Sequence, residues 1–286
     1  MNSHLVSILM TAYNREKFIE EAIESVLASS YSNFELIIVD DCSIDRTLPI
    51  ARAFESKDNR IKVYVNETNI GDYPNRNKAA GYAKGVFLMN VDSDDTISRD
   101  GIENCINAMN LFPDSGFGIY NPIHGLIPIL INSEDVIKNH FFKKPFLFIG
   151  PGGTVLKREY FNRINRYPVK YGPANDMYFN IKAACFSPVV LLPFEFMNYR
   201  RHPGQEINNT YIYLYNNYLY LKEALNELPL GLTQKEKIWI AKKNKRRFLF
   251  NILKYFFKTG DIGKTRHVIK STQFRFSDAI EAVFQF

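Results

Sequence analysis

Cysteine is scarce in this chain of 286 residues: Cys42, Cys105 and Cys185 are scattered, and no C-x-x-C pair occurs. That excludes a disulfide framework and argues against a zinc or thiol-redox centre, so a reducing compartment is expected. Fifteen Gly and thirteen Pro, beside 46% hydrophobic and 23% charged residues, exclude collagen-like, wholly disordered and coiled-coil chains. Long apolar runs are also missing. The best candidate, Ile119 to Ile131, is broken by Asn121, Pro122, His124, Gly125 and Pro128, and falls short of the ~18 apolar residues that cross a bilayer. The opening Met-Asn-Ser-His-Leu-Val-Ser-Ile lacks the basic, apolar and small-residue succession of a signal peptide, so a cytoplasmic protein is expected. Neither G-x-G-x-x-G nor G-x-x-x-x-G-K-[ST] is present, which argues against nicotinamide and P-loop enzymes.

The length suits one large α/β domain, alone or with a small appendage. Its formal net charge of +6 is unevenly spread, because Lys235 to Arg275 holds thirteen Lys/Arg against two acidic residues. The chain is an acidic body with a basic tail, and such tails meet phosphates on lipids, nucleic acids or anionic substrates. Leu5 to Thr11 has strand length, and Ile19, Ala22, Ile23, Val26 and Leu27 then form a helical stripe within Lys17 to Ser29. Phe34 to Asp40 and Ile61 to Val65 are further strands, with a helix between them capped by Ser43 or Asp45. Pro74 to Ala83 is predicted helical and Val86 to Val91 extended. This alternation predicts a mostly parallel sheet whose ligands sit beyond the carboxyl ends of the strands. After Phe112 the pattern loosens into Gly/Pro turns, and from Tyr211 onward the spacing is helical.

Polar groups follow three of the predicted strands: Thr11 to Asn14, Asp40 to Ser43, and Asp92-Ser93-Asp94-Asp95. Three carboxylates just past a buried strand repel one another unless a cation offsets them. Oxygen ligands without a His/Cys cluster point to Mg²⁺ or Mn²⁺ rather than zinc.

These residues carry a resemblance. Ser7-Ile8-Leu9-Met10-Thr11-Ala12-Tyr13-Asn14, Glu35 to Thr47 with its Asp40-Asp41, Asn69-Ile70-Gly71, Arg76-Asn77, Ala83-Lys84-Gly85 and Asp92-Ser93-Asp94-Asp95 resemble, in order and spacing, the inverting glycosyltransferases of family 2. The resemblance implies a GT-A fold: a mostly parallel central sheet with flanking helices, a Rossmann-like nucleotide-sugar half at 1–112, an acceptor half at 113–210, and a basic helical extension at 211–286. It implies that Thr11 and Tyr13 line the nucleotide pocket and that Asp41 accepts a base N–H, which favours UDP. Arg76, Asp92 and Ser93 would contact the nucleotide sugar, and Asp94 would hold the metal. Gly152 and Gly153, in Gly150-Pro151-Gly152-Gly153-Thr154, resemble the acceptor-side segment. Asp176 matches the second residue of the family's acidic pair and would be the base, whereas Asn175 stands where the family commonly has Glu. In Tyr199-Arg200-Arg201-His202-Pro203-Gly204 either arginine would face the leaving diphosphate, and His202 would touch phosphate or complete the metal shell.

The activity so implied is metal-dependent transfer from a nucleotide sugar, UDP-sugar favoured, to a saccharide or lipid-linked saccharide hydroxyl in cell-surface polysaccharide synthesis. Bland alternatives stand beside these roles: Tyr13 as a core aromatic, Arg76 as a solvated helix residue, Asp41 as a cap, Asp176 as a helix N-cap and 150–153 as a plain turn. A sugar-1-phosphate nucleotidyltransferase would need a glycine in Thr11 to Arg15, and none is there. The non-enzyme alternative is a GT-A scaffold that binds membrane or nucleic acid through the tail, although no nucleic-acid partner is expected. The tail's lysines and arginines, around Phe248, Leu249, Ile252, Leu253, Phe256 and Phe257, suit a helix lying on the anionic inner face of the cytoplasmic membrane. Equally, that apolar face could pack on the body.

Overall fold

The structure, a computed structural model, describes residues 4–122, 125–202, 205 and 210–284. Pro203 and Gly204 of the Arg-Arg-His stretch, and His124 of the interrupted apolar run, lie outside the described residues. Strands β1 (Val6–Ala12), β2 (Phe34–Asp40), β3 (Ile61–Val65) and β4 (Phe87–Asn90) are parallel and lie in the order β3-β2-β1-β4. The helices between them are α1 (Ile19–Leu27), α2 (Thr47–Glu55) and α3 (Asp72–Tyr82). The apolar stripe read from the sequence is the buried face of α1, through Ile19, Ala22, Ile23 and Val26. In contrast, α3 buries the polar Asn75 and Arg76 beside the core residues Tyr73, Ala79 and Ala80, an unusual use of a helix face that points to a site.

Sequence periodicity gave no elements between residue 112 and the tail, yet this half is built of short strands and helices. After β5 (Thr96–Ile97) and α4 (Gly101–Leu111) come β6 (Phe117–Tyr120), β7 (Ile129–Ile131), α5 (Ser133–Phe142), β8 (Thr154–Lys157), α6 (Arg158–Arg163), α7 (Asn175–Phe186), β9 (Val189–Leu192) and β10 (Met197–Asn198). They extend the sheet to β3-β2-β1-β4-β8-β6-β9-β7, with β8 antiparallel to both β4 and β6. Among the described residues four of the seven ladders in this sheet are parallel, in agreement with a mostly parallel sheet. The short antiparallel pair β5–β10 carries the chain after Phe196 back over the acidic loop.

The Ala83-Lys84-Gly85 motif has a structural cause. Gly85 N donates to Ser7 Oγ at 2.8 Å, while that hydroxyl and Lys84 N both donate to Glu35 Oε1, at 2.6 and 2.7 Å. A Cβ on Gly85 would stand 2.6 Å from Ser7 N and 2.7 Å from Leu5 O, so only glycine lets β4 enter beside β1.

The carboxy-terminal helices are α8 (Thr210–Glu227), α9 (Gln234–Thr259), α10 (Ile262–Thr272) and α11 (Phe276–Phe284). Tyr220, Leu221, Ala224 and Leu225 of α8 and Ile240 of α9 share one buried cluster with Phe179 and Ile181 of α7. Packing is therefore continuous across residue 210. Of the apolar positions read from the tail, Phe248 and Ile252 are buried with Tyr218 and Val268, whereas Leu253 and Phe257 face outward. No helix among the described residues is long and apolar enough to cross a membrane.

Candidate active site

The loops after β1 and β2 lock together at the carboxyl edge of the sheet. Asn14 and Cys42 both adopt left-handed backbone conformations, φ 53° and 64°. The Asn14 side chain accepts from Ile44 N, and Ser43 Oγ accepts from Asn14 N. Strain of this kind persists where neighbouring contacts hold it, commonly at binding sites. Tyr13, 44% exposed, lies open beyond the strand and is no core aromatic. Asp41 caps no helix: its buried carboxylate accepts from Ile70 N, Gly71 N and Asn66 Nδ2, at 2.9, 2.9 and 2.6 Å. Asn66 also donates to Asn75 Oδ1 and accepts from Lys78 Nζ. The Asn69-Ile70-Gly71 element is thus the loop that Asp41 gathers at the carboxyl edge of the sheet. Thr11 lies at the end of β1 and lends its carbonyl to Ser93 Oγ at 2.8 Å. Ser93 therefore ties the acidic loop to β1 through a buried side chain.

Arg76 is buried, not solvated. Its Nη1 donates to Asp92 Oδ1 at 2.7 Å, and its Nε lies 2.8 Å from Asp72 Oδ1, near enough for charge pairing but off the hydrogen-bond direction. Burial opposes this guanidinium's charge, but Asp72 and Asp92 outweigh burial and hold its pKa well above the ordinary arginine value.

Asp92, Asp94 and Asp95 offer carboxylate oxygens that all lie within 4.8 Å of one another. Burial raises the Asp95 pKa to about 7, with Asp92 and Asp94 adding to the rise and the Arg200 N–H opposing it. Crowded acids of this kind fit a hard divalent cation, and His202 Nε2, 2.9 Å from Asp94 Oδ2, adds a nitrogen donor. The ring of His202 is stacked on Phe18, centroids 4.5 Å apart. Asp94 Oδ2 also accepts from Arg15 Nε at 3.0 Å. Arg15 escaped the sequence reading; its one signal is a cation three residues beyond β1. Arg200 does not match the diphosphate role considered for it. Its side chain donates to the carbonyls of Asp94, Phe18 and Asp95 and pairs with Glu21, so it clamps the returning segment onto the acidic loop. The exposed Arg201 is the arginine left facing solvent at the site.

Across α3 stands Asp176, in the first turn of α7. Its backbone N–H donates to Tyr73 Oη at 3.2 Å, and Arg76 lies over the Tyr73 ring at 5.9 Å, so Asp176, Tyr73, Arg76 and Asp92 form one continuous chain of contacts. Asp176 is not the N-cap, a position held by Ala174. Burial pushes the Asp176 carboxyl up to about 7, against the Met177 N–H and Arg76, which favour its charge. The departure at Asn175 also has a cause. This buried amide donates to Gly172 O at 2.7 Å and accepts from Tyr171 N at 3.0 Å; a glutamate has no donor for the first bond.

Gly150 lies beside Asp176: a Cβ built on it would be 3.9 Å from Oδ2. Gly152 and Gly153 occupy the one-turn helix Pro151–Gly153, where a Cβ would meet Met197 Cε at 2.6 Å and Ile149 Cγ2 at 2.2 Å respectively. The approach at Gly153 gives a packing reason for glycine, whereas at Gly152 the close atom is the end of the flexible Met197 side chain. The preceding segment is fixed by His140 of α5, whose Nδ1 accepts from Phe146 N at 3.2 Å and Leu147 N at 3.1 Å. Burial lowers the His140 pKa to about 3, so the ring is neutral. Because the folded value lies below the ordinary 6.5, the resulting stability is complete above about pH 6.5 and is lost as pH falls towards 3. His140→Phe should orphan two buried N–H groups and cost about 2–4 kcal/mol. Thermal midpoints at pH 8 and pH 5 check this: the deficit of the variant should be larger at pH 8.

A mostly parallel α/β sheet, with a carboxylate triad at its carboxyl edge and Asp176 linked to that triad through Tyr73 and Arg76, is the arrangement of the GT-A class of folds. The family description "Glycosyl transferase family 2" matches residues 7–163, and the chain belongs to that family. The TuaG protein of Bacillus subtilis, a putative teichuronic acid biosynthesis glycosyltransferase, is 41% identical over 147 residues, covering 47% of this chain and 58% of TuaG. Escherichia coli WfgD, a UDP-Glc:alpha-D-GlcNAc-diphosphoundecaprenol beta-1,3-glucosyltransferase, is 41% identical over 109 residues, covering 38% of this chain and 42% of WfgD. The chain spans about half the length of the curated relatives it matches. Staphylococcus aureus TarS 1–349 in complex with UDP superposes over 98% of this chain and 81% of TarS 1–349, with a TM-score of 0.70 at 22% identity. At that identity the likeness speaks for the fold.

Proposed function

We propose that the chain transfers a hexose, with inversion, from a nucleotide sugar to a saccharide or lipid-linked saccharide hydroxyl, in cell-surface polysaccharide synthesis at the inner face of the cytoplasmic membrane. The observation that carries this reading is the line from Asp176 through Tyr73 and Arg76 to Asp92, with a base at one end and a carboxylate triad at the other. UDP is the favoured carrier because the Asp41 carboxylate, at the strand-end edge that also carries Tyr13, can accept a uracil N–H. The names of WfgD and of the TarS complex agree with it, although a mannosyltransferase of Pyrobaculum calidifontis with the same fold, TM-score 0.65 at 13% identity, is in complex with GDP-Man and Mn²⁺.

Asp176 in its charged form takes the proton of the attacking hydroxyl, whose oxygen bonds to the anomeric carbon as the bond to the diphosphate oxygen breaks. The raised pKa gives this carboxylate a basicity matched to neutral pH. Arg201 and His202 face the charge that builds on the departing diphosphate, while Arg200 keeps their loop in place. Asp94 with His202, helped by Asp92 and Asp95, would hold Mg²⁺ or Mn²⁺, which when bound supplies Lewis-acid stabilisation of the diphosphate. Gly150, without a side chain, leaves room for the acceptor beside the base.

A thermal-shift and nucleotide-release panel over UDP-, GDP- and dTDP-sugars with Mn²⁺, Mg²⁺ or EDTA tests the reading. Metal-dependent stabilisation and release with one UDP-sugar is the expected result; silence towards every nucleotide would leave only a scaffold. Arg15 gives a separate check. It neutralises the same Asp94 oxygen that a cation would, so Arg15→Ala should tighten Mn²⁺ binding to the donor-free protein about fivefold, measured by calorimetry. Unchanged affinity would mean that the two do not compete.

A further inference from the structure

The helix α9 has two faces, and only one carries its buried residues. Ile240, Asn244, Phe248 and Ile252 are its buried side. On the opposite side Trp239, Lys243, Arg246, Phe250, Leu253 and Phe257 fall at i, i+4, i+7, i+11, i+14 and i+18, a single stripe. The four apolar members are 48%, 56%, 41% and 80% exposed in that order. This is not the face that helical spacing alone suggested, since Phe248 and Ile252 point inward.

The stripe is cationic as well as apolar. From Lys237 to Thr259 there is no acidic residue. Glu236 is occupied in the capping box with Thr233, and Asp278 and Glu281 of α11 are paired with Lys245 away from the stripe. Lys243 lies over the Trp239 ring at 4.9 Å and Arg246 over Phe250 at 5.8 Å. Long basic side chains folded along aromatic rings can keep their stems in an apolar layer and their charges at its edge. A second protein surface would have to bury these cations, whereas an anionic bilayer accepts both ring and charge.

The position of the stripe matters. Trp239 meets Phe142 at the end of α5, centroids 5.3 Å apart, and Lys143 and Lys144 follow, both exposed. From Lys143 to Gly150 is seven residues, a reach of at most about 25 Å, and the segment is tied to α5 by His140 and to α7 by Asn180, which donates to Leu147 O and Ile149 O. At its end Gly150 adjoins Asp176. We propose that the outward face of α9, continued by Phe142 to Lys144, is the surface on which the protein docks to anionic lipid, so that a lipid-linked acceptor hydroxyl enters past residues 143–150 towards Asp176. This rests on the reading of the chain as a transferase with a lipid-linked acceptor.

The test is flotation of the full chain with phosphatidylglycerol/phosphatidylcholine vesicles against phosphatidylcholine alone, beside donor hydrolysis in solution and light scattering. Wild type should float with the anionic vesicles only. Phe250→Ser/Phe257→Ser and Lys243→Glu/Arg246→Glu should each weaken that binding about tenfold or more, with nucleotide release in solution unchanged. Wild type that ignores anionic vesicles, or variants that bind as wild type does, overturn the proposal. So does a wild-type dimer that the Phe variants convert to monomer, since a second copy would then cover the face. Absence of nucleotide release from wild type would instead count against the transferase reading, whatever the flotation shows.

Discussion

Asp176→Asn is expected to lower sugar transfer by about 10²–10⁴-fold while nucleotide binding, measured by thermal shift with UDP, stays near wild type. Asparagine keeps the shape of the side chain and removes the proton acceptor, and Asp176 touches the Tyr73 hydroxyl through its backbone, which the change leaves alone. Two pH signatures separate a base from a structural acid. In wild type kcat/KM should climb about tenfold per pH unit below about 7 and level off above it, as the carboxyl loses its proton. Stability should run the other way. The folded pKa is raised above the ordinary 3.8, so the native state holds a proton that the unfolded chain has lost, and the burial penalty grows from about pH 4 to about pH 7. Asp176→Asn should therefore be the more thermostable protein at pH 8, with the advantage shrinking towards pH 4. Full transfer activity in the variant would remove Asp176 from the mechanism.

Asp94→Ala is expected to abolish metal-dependent stabilisation by nucleotide and to cut transfer about 10³-fold, the scale of the charge stabilisation a divalent cation gives a leaving diphosphate. The fold should survive. Arg200 grips the loop through the Asp94 and Asp95 carbonyls and the Asp95 carboxylate, none of which the substitution removes. Arg15 and His202 lose their shared partner, so nucleotide that still binds should do so indifferently to EDTA. Retained metal dependence, read by nucleotide release with and without EDTA, would assign the cation to Asp92 and Asp95 instead.

Much of the first hundred residues was legible in the sequence, because burial there follows local rules. The apolar runs at Val6–Ala12 and Phe34–Asp40 and the stripe of α1 are short-range patterns, and the polar residues after each strand must fall at one sheet edge once the strands are parallel. The half after Phe112 was not legible. Its strands have two to four residues, its sheet mixes both directions, and β8 enters antiparallel between β4 and β6; no periodic signal survives at that length.

The sequence by itself determined the strand–helix alternation of the first hundred residues, the chemistry of the groups at the strand ends, the acid at Asp176 and the basic tail. Tertiary structure alone decided which of these groups meet. Arg15 reaches Asp94 across 79 positions, Tyr73 reaches Asp176 across 103 and His202 reaches Asp94 across 108. Two adjacent arginines are indistinguishable in a sequence; the β5–β10 register turns Arg200 onto the acidic loop and leaves Arg201 exposed. The same holds for α9, whose apolar residues populate both sides, and where only the docking of α8 against Phe248 and Ile252 settles which aromatics face outward. Local periodicity fixes how a segment is buried, but contacts between distant loops depend on strand register and helix docking, which no single segment encodes.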